Sequence, residues 1–374
     1  MIDIYPWQKE VWRKMAGRPI GHALLLRGRK GLGKLAFSIC LAKSRLCENP
    51  SAAGDACDTC ASCRWFERGG HPDFRIVEPE AVSETSGSSE DVAGGENAGS
   101  DAGIAAEPPS KAAKETAKSG KKPSKQISIT QIRDLGDFIN TTSHQNGEKI
   151  ILIHPAETMN MAAANALLKN LEEPPSRTLF ILVTHQAQHL LPTIRSRCRQ
   201  VVMPAPAPVD AAGWLRQQGV RNPEKCLAAA GYAPLAALDF DNDEYLARHD
   251  AFISQIGGVG NFNPIALAEE MQKSDLPSVV NWLQKWCYDL MSFHTTRTIR
   301  YHPDLASAIK SQAVGIDPRA MAAYLRTLTE AGQLANHPLN PRLFLEELLF
   351  SYVTILSSAG YQPSTTPSSP VARR

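Results

Sequence analysis

The chain has 374 residues, of which 43% are hydrophobic and 21% charged, with 40 basic and 38 acidic side chains. This length predicts two or three domains. A net charge of +2 is too small for the protein as a whole to attract nucleic acid electrostatically, although local basic patches could still do so. We find no signal peptide, and no apolar run approaches the roughly 20 residues of a membrane helix. We therefore expect a cytoplasmic protein without a membrane partner, whose eight cysteines are thiols or metal ligands rather than disulfides.

The predicted elements alternate between helix and strand over the first 205 residues. A short amphipathic helix precedes an apolar strand at 23–26, and a helix follows at 34–47. Further strands are predicted at 74–78, 149–154, 178–184 and 200–203. Helices capped by Thr130 and Thr158 lie between them. Continuous apolar strands separated by helices predict an α/β domain with five parallel strands, covered on both faces.

Composition divides the rest of the chain. Residues 79–126 contain almost no large apolar side chain and are predicted to be a disordered insertion, acidic at its start and basic at its end. A solvated, self-neutralising loop and a partner- or DNA-binding arm both fit that charge pattern. After a proline-rich hinge at 204–208, we predict a small helical domain at 206–260, a larger helical domain at 261–358 and a disordered tail at 359–374.

The first strand leads into a glycine-rich loop. Gly28, Gly31 and Gly33 precede Lys34, and the spacing Gly28-x4-Gly33-Lys34 fits a phosphate-binding P-loop up to its last position. There the pattern requires a Ser or Thr hydroxyl to hold Mg²⁺, whereas this chain has Leu35. The loop is therefore predicted to be a degenerate nucleotide site.

The strand at 149–154 lacks the acidic residues that an ATPase needs. An ATPase carries a carboxylate at this strand's end to hold Mg²⁺ and another beside it to polarise water. Here the strand runs into His154, and the only nearby acid, Glu157, comes several residues later. The chain therefore lacks both protein ligands for Mg²⁺, the hydroxyl at position 35 and the carboxylate at the end of this strand. The sequence predicts that ATP is not hydrolysed even if it is bound.

Four cysteines form a candidate metal site within residues 47–63. Their spacing suits a closed tetrahedral shell, namely Cys47, Cys57, Cys60 and Cys63. A structural Zn²⁺ is the favoured occupant. An iron–sulfur cluster also uses Cys-x2-Cys-x2-Cys triplets, and His71 is an alternative fourth ligand to Cys47.

A third candidate is the run Arg195-Ser196-Arg197-Cys198-Arg199 before the last strand. Alternating arginines at a domain edge fit an ordinary solvated rim. They also fit a guanidinium presented to a neighbour's γ-phosphate.

Three motifs together resemble bacterial clamp-loader subunits of the AAA+ family: residues 165–175 (Asn-Ala-Leu-Leu-Lys-Asn-Leu-Glu-Glu-Pro-Pro), 180–184 (Phe-Ile-Leu-Val-Thr) and 194–198 (Ile-Arg-Ser-Arg-Cys). The resemblance spans roughly residues 1–80 and 127–355. It implies an AAA+ P-loop domain over 1–205 with a zinc module at 47–63, a lid at 206–260 and an oligomerising collar at 261–358. It also implies that Arg197 is an arginine finger acting in trans.

Within that family the sequence departs from the motor subunits of the gamma/tau type. These would carry Thr or Ser after Lys34, an acidic pair after the strand, and an Arg near residues 231–238. The resemblance therefore implies a non-motor subunit of the DNA polymerase III clamp loader, within a DNA-directed DNA polymerase (nucleotidyltransferase) holoenzyme and not catalytic alone. Its implied partners are gamma/tau-type and delta-type subunits in a hetero-pentamer, and through them the sliding clamp and primed DNA.

Two other functions remain open from the residues. An active AAA+ motor ATPase would need Mg²⁺ held without a ligand at Leu35 or at the strand end. A DNA-binding zinc module would use the cysteine cluster with Arg64 and Arg68, which are a thin basic patch.

Overall fold

A computed structural model describes residues 4–82, 123–141, 143, 147–258, 262–335 and 337–357. It separates into two compact units, one ending at Pro204 and one beginning at Ala205. The insertion and tail predicted to be disordered fall mainly on residues 83–122 and 358–374, outside the described residues.

The first unit is built on a five-stranded sheet. Its strands are β1 (Ala23–Arg27), β2 (Phe74–Val77), β3 (Lys149–Ile153), β4 (Thr178–Thr184) and β5 (Arg199–Val202). The spatial order is β2-β3-β4-β1-β5, and every neighbouring pair is parallel. Its helices are α1 (Lys9–Met15), α2 (Lys34–Leu46), α3 (Ala61–Glu67), α4 (Ile129–Arg133), α5 (Leu135–Asn140), α6 (Met161–Glu172) and α7 (Pro192–Arg197). The predicted five-stranded parallel sheet is confirmed.

Both faces of this sheet are buried because successive residues of a strand point to opposite sides. On one face Leu25, Ile151 and Phe180 join a cluster with α6, and on the other Leu24 and Leu152 join a cluster with α1 and α2. The apolar runs therefore contain no polar alternation, since no strand face in the middle of the sheet meets water.

Two predicted helix caps were wrong by two residues. Ser128, rather than Thr130, caps α4 through a capping box with Gln131, whose side chain accepts from the Ser128 amide at 2.9 Å. Asn160, rather than Thr158, caps α6, and its side chain accepts from the Ala163 amide at 2.8 Å. The Thr158 hydroxyl instead donates to the Pro155 carbonyl at 2.7 Å within a short 3₁₀ turn.

The two ends of the insertion are joined by hydrogen bonds. The Ala81 amide donates to the Ser124 carbonyl at 3.1 Å, and the Ser124 amide donates to Glu80 Oε2 at 3.2 Å. The chain thus leaves and re-enters the first unit at one place.

The second unit is helical throughout its described residues. Its helices are α8 (Pro208–Gln217), α9 (Pro223–Ala229), α10 (Pro234–Leu238), α11 (Asp243–Gly257), α12 (Pro264–Met271), α13 (Leu276–Thr296), α14 (Ala306–Ala313), α15 (Pro318–Leu334) and α16 (Pro341–Ser357). Apolar side chains form a small cluster within 211–246 and a large one within 252–356. The division into separate lid and collar domains at residue 260 stays a prediction. Among the described helices, none combines the length and apolar character needed to cross a bilayer.

The large cluster is centred on a buried polar link between helices. Trp286 on α13 and Tyr352 on α16 are both fully buried, and the Trp286 indole N–H donates to the Tyr352 hydroxyl at 2.8 Å. The Tyr352 hydroxyl in turn donates to Gln312 Oε1 at 3.0 Å, so the polar atoms of both rings are satisfied, as buried Trp and Tyr require.

A buried histidine makes this unit sensitive to acid. Burial lowers the pKa of His249 to about 4, although Asp250 Oδ1 lies 3.1 Å from its Nδ1; His302 stacks on the ring and Lys225 is nearby. The unfolded chain binds this proton near pH 6.5, so stability is full above that pH and is lost as the pH falls towards 4.

We expect His249→Gln to flatten this pH dependence. The wild type should lose about 2 kcal/mol from this residue between pH 7 and pH 5, and the variant should not. Urea unfolding at the two pH values measures the difference, with the exposed His337→Gln as the matched control. An equal pH slope in wild type and His249→Gln would contradict the assignment.

Candidate functional site

The glycine loop lies between β1 and α2, at the carboxyl edge of the sheet. Gly31 and Gly33 have φ values of 81° and 79°, in the left-handed region that favours glycine. Gly33 is the N-cap of α2. The loop therefore has the strand–loop–helix geometry with which helix N-termini bind phosphate.

Lys34 turns back onto this loop. Its Nζ donates to the carbonyls of Gly28 at 2.7 Å and Arg29 at 2.6 Å, and the residue is only 2% exposed. Burial lowers its pKa to about 8, opposed by the nearby negative charge of Glu157. The ammonium group that would meet a phosphate is thus paired with main-chain oxygens.

The N-terminal segment covers the last residues of the loop. Gln8 Nε2 donates to the carbonyls of Leu32 at 2.8 Å and Gly33 at 2.9 Å, and the Trp7 indole donates to Leu32 at 3.1 Å. A Cβ atom at Gly33 would lie 2.5 Å from the Tyr5 ring. Any larger residue at Gly33 would therefore displace this segment as well as strain the turn.

The position that should hold Mg²⁺ is occupied by an apolar side chain that packs against the core. Leu35 is half-buried and packs against the apolar cluster beneath α2. Its side chain has no atom that can ligate a metal, so the loop supplies no protein ligand at this position.

Residues at the ends of β3 and β4 lie close to Lys34, an arrangement that was not predicted from the sequence. Glu157, although late in the sequence, accepts from the His185 amide at 2.9 Å and lies close enough to Lys34 to oppose its deprotonation. Its other oxygen, Glu157 Oε2, and His185 Nδ1 are buried without a hydrogen-bond partner among the described residues. His185, the residue after β4, was missed; the rule that parallel strands end at one edge was the available signal.

A histidine stands where a strand-end acid would be expected, and a second histidine, at the end of β4, lies beside it. His154 follows β3, and its Nδ1 lies 2.9 Å from Glu78 Oε1. His185 packs edge-on against it with ring centroids 5.4 Å apart, and burial, aided by the charge of Lys34, lowers the pKa of His185 to about 4. At neutral pH His185 is therefore uncharged.

The four predicted cysteines converge at one point. The sulfur atoms of Cys47, Cys57, Cys60 and Cys63 all lie within 4.8 Å of one another. A tetrahedral shell with Zn–S bonds of about 2.3 Å places its sulfurs roughly 3.8 Å apart, and Cys47 Sγ and Cys60 Sγ are 4.0 Å apart. The donor set therefore fits a closed four-thiolate site.

The backbone around the cysteines is arranged for thiolates. The amides of Cys57, Cys60 and Cys63 each donate to the sulfur of another member of the cluster, at 3.2, 3.4 and 3.3 Å. The Thr59 hydroxyl lowers the pKa of Cys57 to about 6, towards the ionised form that binds metal, whereas burial raises the pKa of Cys47 and of Cys63.

His71 lies outside this cluster of sulfurs. Its Nδ1 accepts from the Asp73 amide at 3.1 Å, and its Nε2 lies 2.8 Å from the Ser62 hydroxyl, which donates to the Leu46 carbonyl. Both ring nitrogens are therefore engaged, Nε2 with α3 and Nδ1 with the turn before β2, and Cys47 is the fourth member of the cluster.

Arg197 is the last residue of α7, and its side chain is 35% exposed. One terminal nitrogen donates to the Thr193 carbonyl at 3.0 Å, and the other lies 2.7 Å from Glu172 Oε1 at the end of α6. The guanidinium is thus held by two contacts while about a third of the Arg197 side chain remains open to solvent.

Known proteins resemble the chain over most of its length. The sequence profile described as "DNA polymerase III, delta subunit" matches residues 8–207, and a second profile, for the C-terminal region of the delta subunit, matches residues 244–354. The DNA polymerase III subunit delta′ of Pseudomonas aeruginosa is 32% identical over 79% of this chain and 80% of its own length. The Escherichia coli subunit delta′ is 26% identical over 86% of each chain. A solved gamma-subunit-related protein of Thermotoga maritima is 17% identical and covers 93% of this chain and 99% of its own, with a TM-score of 0.39.

The five-stranded parallel sheet and the glycine loop between β1 and α2 define an α/β protein of the P-loop class, here followed by a helical second unit. Within that class the matches extend over both units of the protein. The chain belongs to the DNA polymerase III delta-prime family.

Proposed function

We propose that this chain is a non-motor subunit of a DNA polymerase III clamp loader. In this function it occupies one position of a hetero-pentamer with gamma/tau-type motors and a delta-type subunit, and takes part in ATP-dependent loading of the sliding clamp at primed DNA. The names of its relatives, which are subunits of DNA polymerase III, support its place in a multi-subunit assembly. The observation that carries the non-motor role is the loop itself, where the Lys34 ammonium donates to main-chain carbonyls and the half-buried Leu35 side chain packs against the apolar core.

The catalytic contribution of the chain is made in trans. Arg197 extends its guanidinium from the end of α7 to the γ-phosphate of ATP bound by an adjacent motor subunit, where it neutralises charge in the transition state. Its partial exposure and its fixed orientation support this role.

The cysteine cluster holds a structural zinc ion. Four thiolates complete the tetrahedral coordination of Zn²⁺ and leave no position for water or substrate, so the ion stabilises the fold and does no chemistry. It links the end of α2, at Cys47, to α3, which begins after Cys60. The convergence of all four sulfurs within 4.8 Å supports the assignment.

The isolated chain is expected not to hydrolyse ATP, with or without Mg²⁺. Steady-state phosphate release by the purified full-length protein measures this. Leu35→Thr, which restores the hydroxyl, should remain inactive because His154 still stands where a strand-end carboxylate is needed.

Mg²⁺-dependent turnover by the wild-type chain would contradict the proposal and favour the alternative, an active gamma/tau-like motor. Binding of ATP that is weak, or independent of Mg²⁺, is consistent with the degenerate site formed by Gly28, Gly31, Gly33 and Lys34.

A further inference from the structure

Glu172 occupies a position that helix stability alone disfavours. It is the last residue of α6, where the unpaired carbonyls give the helix end a partial negative charge. Glu173 follows directly, so two carboxylates stand side by side at the end that favours cations. The reason for an acid at Glu172 is therefore to be sought in its partner rather than in α6.

That partner is Arg197. Glu172 Oε1 lies 2.7 Å from one terminal nitrogen of Arg197, while the other terminal nitrogen donates to the Thr193 carbonyl. An arginine has five N–H groups, so these two contacts leave three for another acceptor. Because the two contacts come from different helices, they fix the plane of the guanidinium relative to both α6 and α7.

The pair is open to solvent. The side chains of Arg197 and Glu172 are 35% and 49% exposed, and exposed ion pairs contribute little to net stability. Removing the carboxylate therefore leaves the fold intact but lets a long, flexible side chain sample many rotamers. Catalysis is far more sensitive than stability to such a loss of orientation.

We propose that Glu172 is a positioning residue, whose carboxylate holds Arg197 in the orientation from which it reaches the γ-phosphate of a nucleoside triphosphate bound by the neighbouring subunit. This inference rests on the proposed function of Arg197 as a finger in trans. The carboxylate contacts one edge of the guanidinium and leaves N–H groups for the phosphate oxygens.

The test is Glu172→Ala in a clamp loader reconstituted from full-length subunits. We expect kcat for ATP to fall about fivefold, because Arg197 loses its preferred orientation. KM for ATP should not change, since the neighbouring subunit binds the nucleotide, and the melting temperature of the isolated chain should also stay unchanged. Glu172→Gln, which keeps a hydrogen-bond acceptor, should recover at least part of the lost rate.

The matched control is Glu173→Ala, which removes the adjacent exposed carboxylate and should leave kcat at the wild-type value. In an Arg197→Ala background, Glu172→Ala should have no further effect, because the residue acts only through the arginine.

The remaining outcomes distinguish a failure of the positioning role of Glu172 from a failure of the proposed finger role of Arg197. If Arg197→Ala slows turnover while Glu172→Ala behaves like Glu173→Ala, the positioning role is wrong and the finger stands. If Glu172→Ala raises kcat, the carboxylate competes with the phosphate for Arg197, and positioning is again refuted. If Arg197→Ala has no effect, the proposed function fails as well.

Discussion

Replacing Arg197 with alanine is expected to reduce ATP hydrolysis at the neighbouring motor site by about 10³-fold, the lower end of what an arginine finger contributes. The side chain lies at the end of α7 and forms its ion pair with Glu172 at the surface, so its loss removes no buried contact. We therefore expect the variant to fold and assemble normally. Single-turnover hydrolysis by the reconstituted loader, with assembly checked by gel filtration, measures the effect.

Two matched variants distinguish an arginine finger at Arg197 from a run of ordinary solvent-exposed arginines at the domain edge. Arg199→Ala removes another exposed arginine of the same run and should leave turnover unchanged. Arg197→Lys keeps the charge but loses the planar fork, and should recover only a small part of the rate. Equal behaviour of Arg197→Ala and Arg199→Ala would show that the run is an ordinary polar edge.

Replacing both Cys57 and Cys60 with serine is expected to release one zinc ion per chain and destabilise the first unit. A loss of about 2–3 kcal/mol would lower its Tm by about 5–10 °C, at roughly 2–4 °C per kcal/mol for a domain of this size. The four sulfurs converge where α2 leads into α3, so the variant, with only Cys47 and Cys63 left, loses the metal bonds that would hold this segment together. Elemental analysis and thermal unfolding measure the two effects.

Cys40→Ser is the control, because this thiol lies on α2 outside the cluster and should retain both the zinc and the melting temperature. A wild-type protein purified without chelators that contains no zinc would remove the assignment. Iron with visible absorption would indicate the iron–sulfur alternative instead.

The sheet could be predicted from sequence because its strands are apolar throughout. The run Thr178–Thr184 is buried along its whole length, and its bounds were predicted correctly. Helix starts were less certain, since Thr158 and Asn160 are both good capping residues and lie two positions apart. Asn160 caps α6 because the Thr158 hydroxyl is already donating to the Pro155 carbonyl. That contact lies within a short turn, which no periodicity in the sequence predicts.

The candidate site was predictable where its residues are local in sequence. The cysteines and the glycine loop follow spacing rules, and the structure brings each set together. The role of Glu157 was not predictable, because it comes near Lys34 only through the placement of two different strand ends at one edge of the sheet. The pairing of Arg197 with Glu172 likewise joins positions 25 residues apart along the chain, across a complete strand.

The hydrogen bonds between Ala81 and Ser124, and between Ser124 and Glu80, give the insertion a closed base. In polymer terms, the entropy cost of closing a flexible loop whose two ends are held together grows only with the logarithm of its length. Doubling such a segment therefore costs only about 0.6 kcal/mol. The contacts among Glu80, Ala81 and Ser124 therefore join the two flanks of the insertion in a way that depends little on the number of residues between them.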